Sequence, residues 1–408
     1  MDIAARVELP LVPPAELAAR LARYQKKLVA ADLPFSLITH PLDVLYLSGT
    51  MPDGWLIAPA EGAPTLLARK SYARARRESP LADIRPFRSP RDAADAIRER
   101  FGERPGRAGL DLDVAPAAIY LKLVQLLPQI AWQDASLPIR QTRAVKSPWE
   151  IERHVRAAQQ HLAAFGAIRE RLADGLPESD LSAAAEAAMR RAGHPGLVRF
   201  RRTGMYLWFC VVSSGVGAAY PTSFDGPIGA SGLHPASGVV SGVGRLARGV
   251  PVMADILANC EGYHADIART FCVGRPPDAI RRAHDFCREA LHRVEALLRP
   301  GVAWGDVYRR VDEWAKAAGE PEGFMGYGDN RVKFFGHGIG LEVDEFPILA
   351  AGFEQPLEAG MVVAVEPKAF SPELGPAGLE MSYAIGENGA RPLLDYPEEI
   401  LISPPGRD

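Results

Sequence analysis

Two aspartates eleven residues apart, Asp255 and Asp266, each interrupt an otherwise apolar run, Val252-Met253-Ala254 to Ile256-Leu257-Ala258 and Tyr263 to Ile267-Ala268. The runs break at Glu261-Gly262, the pattern of a β-hairpin, so the two carboxylates belong on adjacent strands. Buried carboxylates side by side repel: either one takes up a proton or a cation keeps both ionised. A cation is the simpler answer if more ligands exist, and three follow. His337 lies in Phe334-Phe335-Gly336-His337-Gly338-Ile339-Gly340-Leu341, Glu366 ends the apolar run Met361-Val362-Val363-Ala364-Val365, and Glu380 precedes Met381-Ser382-Tyr383. The glycines around His337 allow close backbone approach, and the run before Glu366 reads as a buried strand with its charge at the end.

Four carboxylates and one imidazole carry four negative charges. Two divalent ions balance them and leave room for a bridging hydroxide. Oxygen ligands with a single imidazole and no thiolate suit Mn, Co, Fe or Zn in a reactive site better than a structural zinc. Such a pair lowers the pKa of a bridging water and polarises a carbonyl, so an amide can be hydrolysed without a protein nucleophile. Any one of these acids alone reads as a solvated or capping group. Their joint order is what points to a metal.

That order, Asp255, Asp266, His337, Glu366, Glu380, resembles the pita-bread metallopeptidases, the family of aminopeptidase P, prolidase, methionine aminopeptidase and creatinase. Gly262-Tyr263 before Asp266-Ile267-Ala268-Arg269-Thr270-Phe271, the Gly336-to-Leu341 segment, and Gly360-Met361-Val362 before Glu366-Pro367 are each similar to its motifs. The resemblance implies an α/β N-terminal domain of creatinase type and an α+β pita-bread catalytic domain. It implies that Asp255 chelates one ion, that Asp266 and Glu380 bridge two, and that His337 and Glu366 complete the other. Glu366 is also the candidate general base, since a carboxylate touching the bridging water can take its proton. The resemblance also implies a homodimer, with the N-terminal domain helping to shape a substrate cleft.

Three positions depart from the pattern. Asp344 stands where such peptidases usually carry a second His, and an ionised Asp cannot donate in its place. Asp344 is open to three readings: a proton carrier, a partner for a substrate cation, or a surface residue. The His expected before the first metal Asp has no counterpart in Gly217 to Pro227; His234, beyond an insertion, reads as a loop residue. Gly378 occupies the place of an Arg.

The elements that must position these groups are legible in outline. Residues 14 to about 143 alternate helical and strand-like runs, as an α/β domain does. Leu17, Leu21, Tyr24, Leu28 and Val29 mark the apolar face of a first helix, and strands are expected at Phe35 to Thr39, Trp55 to Ala58, Thr65 to Ala68 and Ala108 to Leu110, with a helix near 90 to 102. Ser147-Pro148-Trp149-Glu150 is a capping box opening a long helix, with Ile151, Val155, Ala158, Leu162 and Phe165 as its buried face. This divides the chain into 1–143 and 144–408. Further helices are expected at 178 to 192, 277 to 298 and 304 to 318, and a strand through Trp208 to Val212.

At 408 residues, 24% charged and with net charge -3, the chain has the composition of an ordinary soluble protein and offers no electrostatic case for nucleic acid or an anionic membrane. No apolar run approaches the roughly 20 residues of a membrane span. The first eight residues are too polar for a secretory signal, and Cys210, Cys260, Cys272 and Cys287 form no CxxC pair, which together suggest reduced thiols and a cytoplasmic protein. His264, beside the metal strand, is an outside candidate to support a ligand; the remaining histidines read as surface or satisfied core. Neither the glycines around His337 nor Gly242 to Gly249 meet a nucleotide-binding pattern.

The expectation is a dinuclear metallohydrolase of Xaa-Pro peptidase type acting on a small peptide or amide. The alternatives are a creatinase-like or lyase-like enzyme for a non-peptide small molecule, favoured by the missing histidines, and a catalytically silent binding protein on the same fold.

Overall fold

The computed structural model describes residues 8–103, 106–202 and 204–403. Residues 1–7 of the polar N-terminal stretch lie outside these. The chain divides into two compact units, Met1–Arg143 and Ala144–Asp408.

The first unit runs α1 (Pro14–Ala30), β1 (Phe35–Ile38), α2 (Pro41–Ser48), β2 (Asp53–Pro59), β3 (Thr65–Lys70), α3 (Tyr72–Glu78), β4 (Asp83–Pro86), α4 (Pro90–Phe101), β5 (Arg107–Leu110), α5 (Ala117–Leu126), β6 (Ala131–Asp134) and α6 (Ser136–Ala144). Its six strands form one mixed sheet in the order β4-β3-β2-β1-β5-β6. Phe35, Leu37, Ile57, Leu67, Ile97 and Leu110 make its core. On α1, Leu17, Tyr24 and Leu28 are buried as expected, but Val29 is 60% exposed. One residue beyond Leu28 is a turn of about 100° round a helix, which carries Val29 off the stripe.

The second unit runs α7 (Pro148–Arg171), α8 (Glu178–Arg191), β7 (Cys210–Ser214), β8 (Pro251–Cys260), β9 (Tyr263–Cys272), α9 (Asp278–Leu297), α10 (Trp304–Ala317), β10 (Phe334–Gly338), β11 (Glu345–Ala350), β12 (Val362–Val365), β13 (Lys368–Ser371), β14 (Gly375–Gly378), β15 (Met381–Gly386), β16 (Gly389–Pro392) and β17 (Leu401–Ile402). Its strands form sheets ordered β17-β9-β8-β7 and β11-β10-β12-β15-β16, with β13 and β14 as a separate pair. Among the described residues, no helix is long and apolar enough to cross a membrane.

The capping box on α7 is present: the Ser147 side chain accepts from Glu150 N at 3.2 Å, and the Glu150 carboxylate accepts from Ser147 N at 2.9 Å. Its buried face is rotated from the expected one. His154, Ala157, Ala158, His161, Ala164, Phe165 and Ile168 are buried, whereas Leu162 is 43% exposed. The alanines let α7 lie close on β8 and β9, and the two histidines are admitted because backbone carbonyls there accept from them. β7 starts at Cys210 rather than Trp208, which leaves Trp208 to line a cavity.

Candidate metal centre

The β8–β9 hairpin turns at Glu261 and Gly262, both with positive φ (52° and 94°), the geometry of a two-residue type I′ turn. Glu261 holds this left-handed conformation with its carboxylate taken by Arg153 at 3.1 Å and Arg156 at 2.8 Å. So short a turn fixes the register: Asp266 pairs with Leu257, and Asp255 lies two residues before Leu257 on the same face. The aspartates are therefore diagonal neighbours across the ladder, within reach of each other's carboxylates.

Glu366 and Glu380 are placed by a second hairpin. Val365 pairs with Met381, and Lys368 with Gly378. One register thus runs through β12–β15 and β13–β14, and its interruption sets Glu366 opposite Glu380. Pro367, with no N–H to donate, explains the break. This hairpin is tied to the first: Ser382 Oγ accepts from Asp266 N (2.9 Å) and donates to Asp266 O (2.8 Å), and Glu380 N donates to Ala268 O (3.0 Å). Arg269, fully buried, donates to the Glu380 carbonyl at 2.7 Å and to that of Pro397 at 2.7 Å.

His337 sits in β10, paired with Ala364 of β12. A Cβ on Gly336 would run into the Ala364 carbonyl, so close passage of these strands requires that glycine. The Nδ1 of His337 lies 2.9 Å from Val343 O and 3.1 Å from Gly338 O. A proton on Nδ1 satisfies these carbonyls and leaves Nε2, the nitrogen 3.9 Å from Glu366 Oε1, free to ligate.

Asp255, Asp266, His337, Glu366 and Glu380 all line one cavity of about 50 Å³, walled by Leu207, Trp208, Val211, Phe224 and Ile228. Ligand atoms of Asp266, His337 and Glu380 lie within 4.8 Å of one another. Asp266 Oδ1 and Glu380 Oε1 are buried without a hydrogen-bond partner. Two orphaned carboxylate oxygens beside a free imidazole nitrogen fit a divalent ion.

The other side of the cluster holds a residue that the sequence reading passed over. Lys368, 1% exposed, places Nζ 2.6 Å from Glu380 Oε2, 2.8 Å from Asp255 Oδ2 and 3.0 Å from Glu366 Oε2. Its signal was strand alternation: two residues beyond Glu366 returns to the same face. The same register explains Gly378. A Cβ there would come 2.5 Å from Pro367 O and 2.7 Å from Lys368 Cα, so Lys368 lies against a position that admits only glycine.

Burial and the neighbouring Glu380 and Asp255 push the Asp266 carboxyl well above its usual range. Burial likewise raises Glu380, to about 8, against the opposing pull of Lys368. Burial lowers the Lys368 pKa, but Asp255, Glu366 and Glu380 outweigh it and hold the group well above its ordinary value. For His337, too, burial lowers the pKa, and Asp344, Glu366 and Glu380 more than offset this.

Asp344 lies outside the cavity lining, half exposed, with Oδ1 3.6 Å from His337 Nδ1. His234 is exposed in its loop, its Nδ1 accepting from Ala236 N at 3.1 Å. His264 is buried, with Nδ1 3.0 Å from Gly340 O and Nε2 3.1 Å from Asn259 Nδ2; it braces β9 against the segment after His337 and is not a ligand. Beside the cavity, a larger one of about 380 Å³ shares Thr222, Phe224, Gly226 and Gly229 with it and includes Tyr327, Arg331 and Lys333.

The sequence is 27% identical over 366 residues to the Xaa-Pro dipeptidase of Pyrococcus furiosus, covering 89% of this chain and 94% of that one. The structure is similar to dipeptidase PepE from Mycobacterium ulcerans, with a TM-score of 0.79 at 26% identity over 97% of this chain and 100% of that one. It is similar also to the prolidase from Pyrococcus furiosus, with a TM-score of 0.74 at 25% identity over 91% of this chain and 99% of that one. Residues 20–145 match the Creatinase/Prolidase N-terminal domain. Residues 152–390 match Metallopeptidase family M24, and the chain belongs to that family.

Proposed function

We propose that this protein is a metal-dependent hydrolase of Xaa-Pro dipeptides or closely related small peptides. The observation that carries the reading is the convergence of Asp255, Asp266, His337, Glu366 and Glu380 on one small cavity with an apolar wall. A divalent ion held by Asp266, His337 and Glu380 supplies Lewis acidity that polarises a substrate carbonyl and acidifies water. Mn, Co, Zn and Fe all suit these donors.

The protein's own groups do the rest. Glu366, with Oε2 engaged by Lys368, keeps Oε1 to take a proton from water and return it to the leaving amine. Trp208, Phe224 and Ile228 exclude solvent and give a proline ring an apolar surface. Asp344, on the Nδ1 side of His337, acts through that imidazole and does not touch substrate. The names of the relatives support the Xaa-Pro preference. Four free cysteines, three of them buried, fit a reducing cytoplasm, and the homodimer rests on the family resemblance.

The test is product release from Xaa-Pro dipeptides and tripeptides with added Mn or Co, using His337→Ala as the blank. Metal-dependent cleavage absent from the blank is expected. Silence from a folded, metal-loaded protein overturns the peptide reading and turns the search to non-peptide amides.

A further inference from the structure

Resting on the reading of this cluster as a metal centre, we infer that the Lys368 ammonium is a built-in cation standing in place of one divalent ion, so that the centre binds a single ion through Asp266, His337 and Glu380. Its Nζ lies within 3.0 Å of oxygens from three carboxylates, Asp255, Glu366 and Glu380. An ion joining those residues would need their carboxylate oxygens at about 2.0–2.2 Å round a centre in the space the ammonium already fills. Ammonium and metal cannot share that space.

Nor can the lysine easily leave. It is fixed two residues from Glu366 on the same strand face, its backbone lies against Gly378, and it is 1% exposed. The pattern of satisfied and unsatisfied oxygens agrees. Among the described residues, the buried carboxylate oxygens without a partner are Asp266 Oδ1 and Glu380 Oε1, and both residues offer a ligand atom within 4.8 Å of one from His337. Oxygens of Asp255 and Glu366, which a two-ion centre would use as ligands, already hold the ammonium. Lys368 is a positioning residue: it draws oxygens of three carboxylates together in one small volume, the task a second metal would otherwise perform.

The experiment is a metal count on the full-length protein. Metal-free chain is titrated with Mn(II), freed of excess, and measured by elemental analysis and electron paramagnetic resonance. One Mn per chain with an uncoupled spectrum is expected for the wild type. Lys368→Gly, purified in Mn(II), should rise to two per chain with an exchange-coupled spectrum. Two ions in the wild type, none in the wild type, or a folded Lys368→Gly that stays at one, each overturns the inference. The wild-type count decides even where a variant does not fold. One bound ion without Xaa-Pro cleavage would overturn the proposed function and leave this inference standing; two ions with cleavage would do the reverse.

Discussion

The second unit buries two sets of titratable groups and treats them in opposite ways. Where α7 packs on the β8–β9 hairpin, His154, His161 and His264 are fully buried, and each has a carbonyl to donate to: His264 O at 2.5 Å, Ile256 O at 2.8 Å and Gly340 O at 3.0 Å respectively. Burial drives their pKa values down, to about 3, 4 and 4, so they remain neutral and need no counter-charge. In the metal centre, burial also favours the neutral form and raises the Asp266 and Glu380 carboxyls, but there each keeps an oxygen with no partner. A buried imidazole whose N–H has a carbonyl to donate to is architecture, even where, as at His154 Nε2, the other ring nitrogen has no partner. Buried carboxylate oxygens left without a hydrogen-bond partner mark where a cation belongs.

The most direct way to break this contrast is to remove the proton carrier while leaving the cation site. Glu366→Gln should lower kcat by about 10²–10⁴-fold, the usual worth of a general base, with bound metal retained. Parallel loss of turnover and metal would make Glu366 chiefly a ligand. Next is Lys368→Met in the metal-free chain. Removing one member of a buried charge cluster leaves the others uncompensated, a loss of about 3–5 kcal/mol in urea unfolding. Added Mn(II) should recover part of it, and an unchanged unfolding midpoint would mean that the carboxylates do not need the ammonium.

In the sequence, hairpin spacing makes the Asp255–Asp266 pair legible, while His337, Glu366 and Glu380 are legible through their order and their resemblance to the family's motifs. Lys368 was legible by strand alternation, but Pro367 closes the motif-like phrase after Glu366 and hides the next residue on that face. The buried face of α7 was misplaced for another reason. Apolar periodicity favours Leu162, whereas the helix buries His154 and His161, whose suitability depends on carbonyls more than 90 residues away in the chain. Long-range acceptors leave no mark at helical spacing. Asp344 shows the same limit: its place beside His337 Nδ1, away from the cavity, comes from the chain turning between β10 and β11.

The histidine side of the comparison predicts smaller effects. His161→Phe keeps a ring in the core next to Phe165 but leaves Ile256 O without its donor, a cost of about 1–3 kcal/mol in urea unfolding. Little change would mean that the carbonyl finds another partner or water.

The smallest effect is the acid limb of stability, and it separates the two regions. Unfolded, a histidine takes up a proton as pH falls through its ordinary 6.5; folded, His161 stays neutral until about 4. The unfolded state therefore binds more protons across that window, so the stability contributed by these histidines is complete above pH 6.5 and lost as pH falls toward 4. In His161→Phe the unfolding free energy should decline less steeply over the same window, because one of the proton-binding differences is gone. Mn(II) should raise wild-type stability near neutral pH through the carboxylate centre. The slope that His161 removes should change little with the ion, since burial and the Ile256 and Ala158 carbonyls outweigh the pull of Asp255 on this imidazole. If Mn(II) abolishes the difference in slope between His161→Phe and wild type, the brace and the centre titrate as one coupled system and the division between them fails.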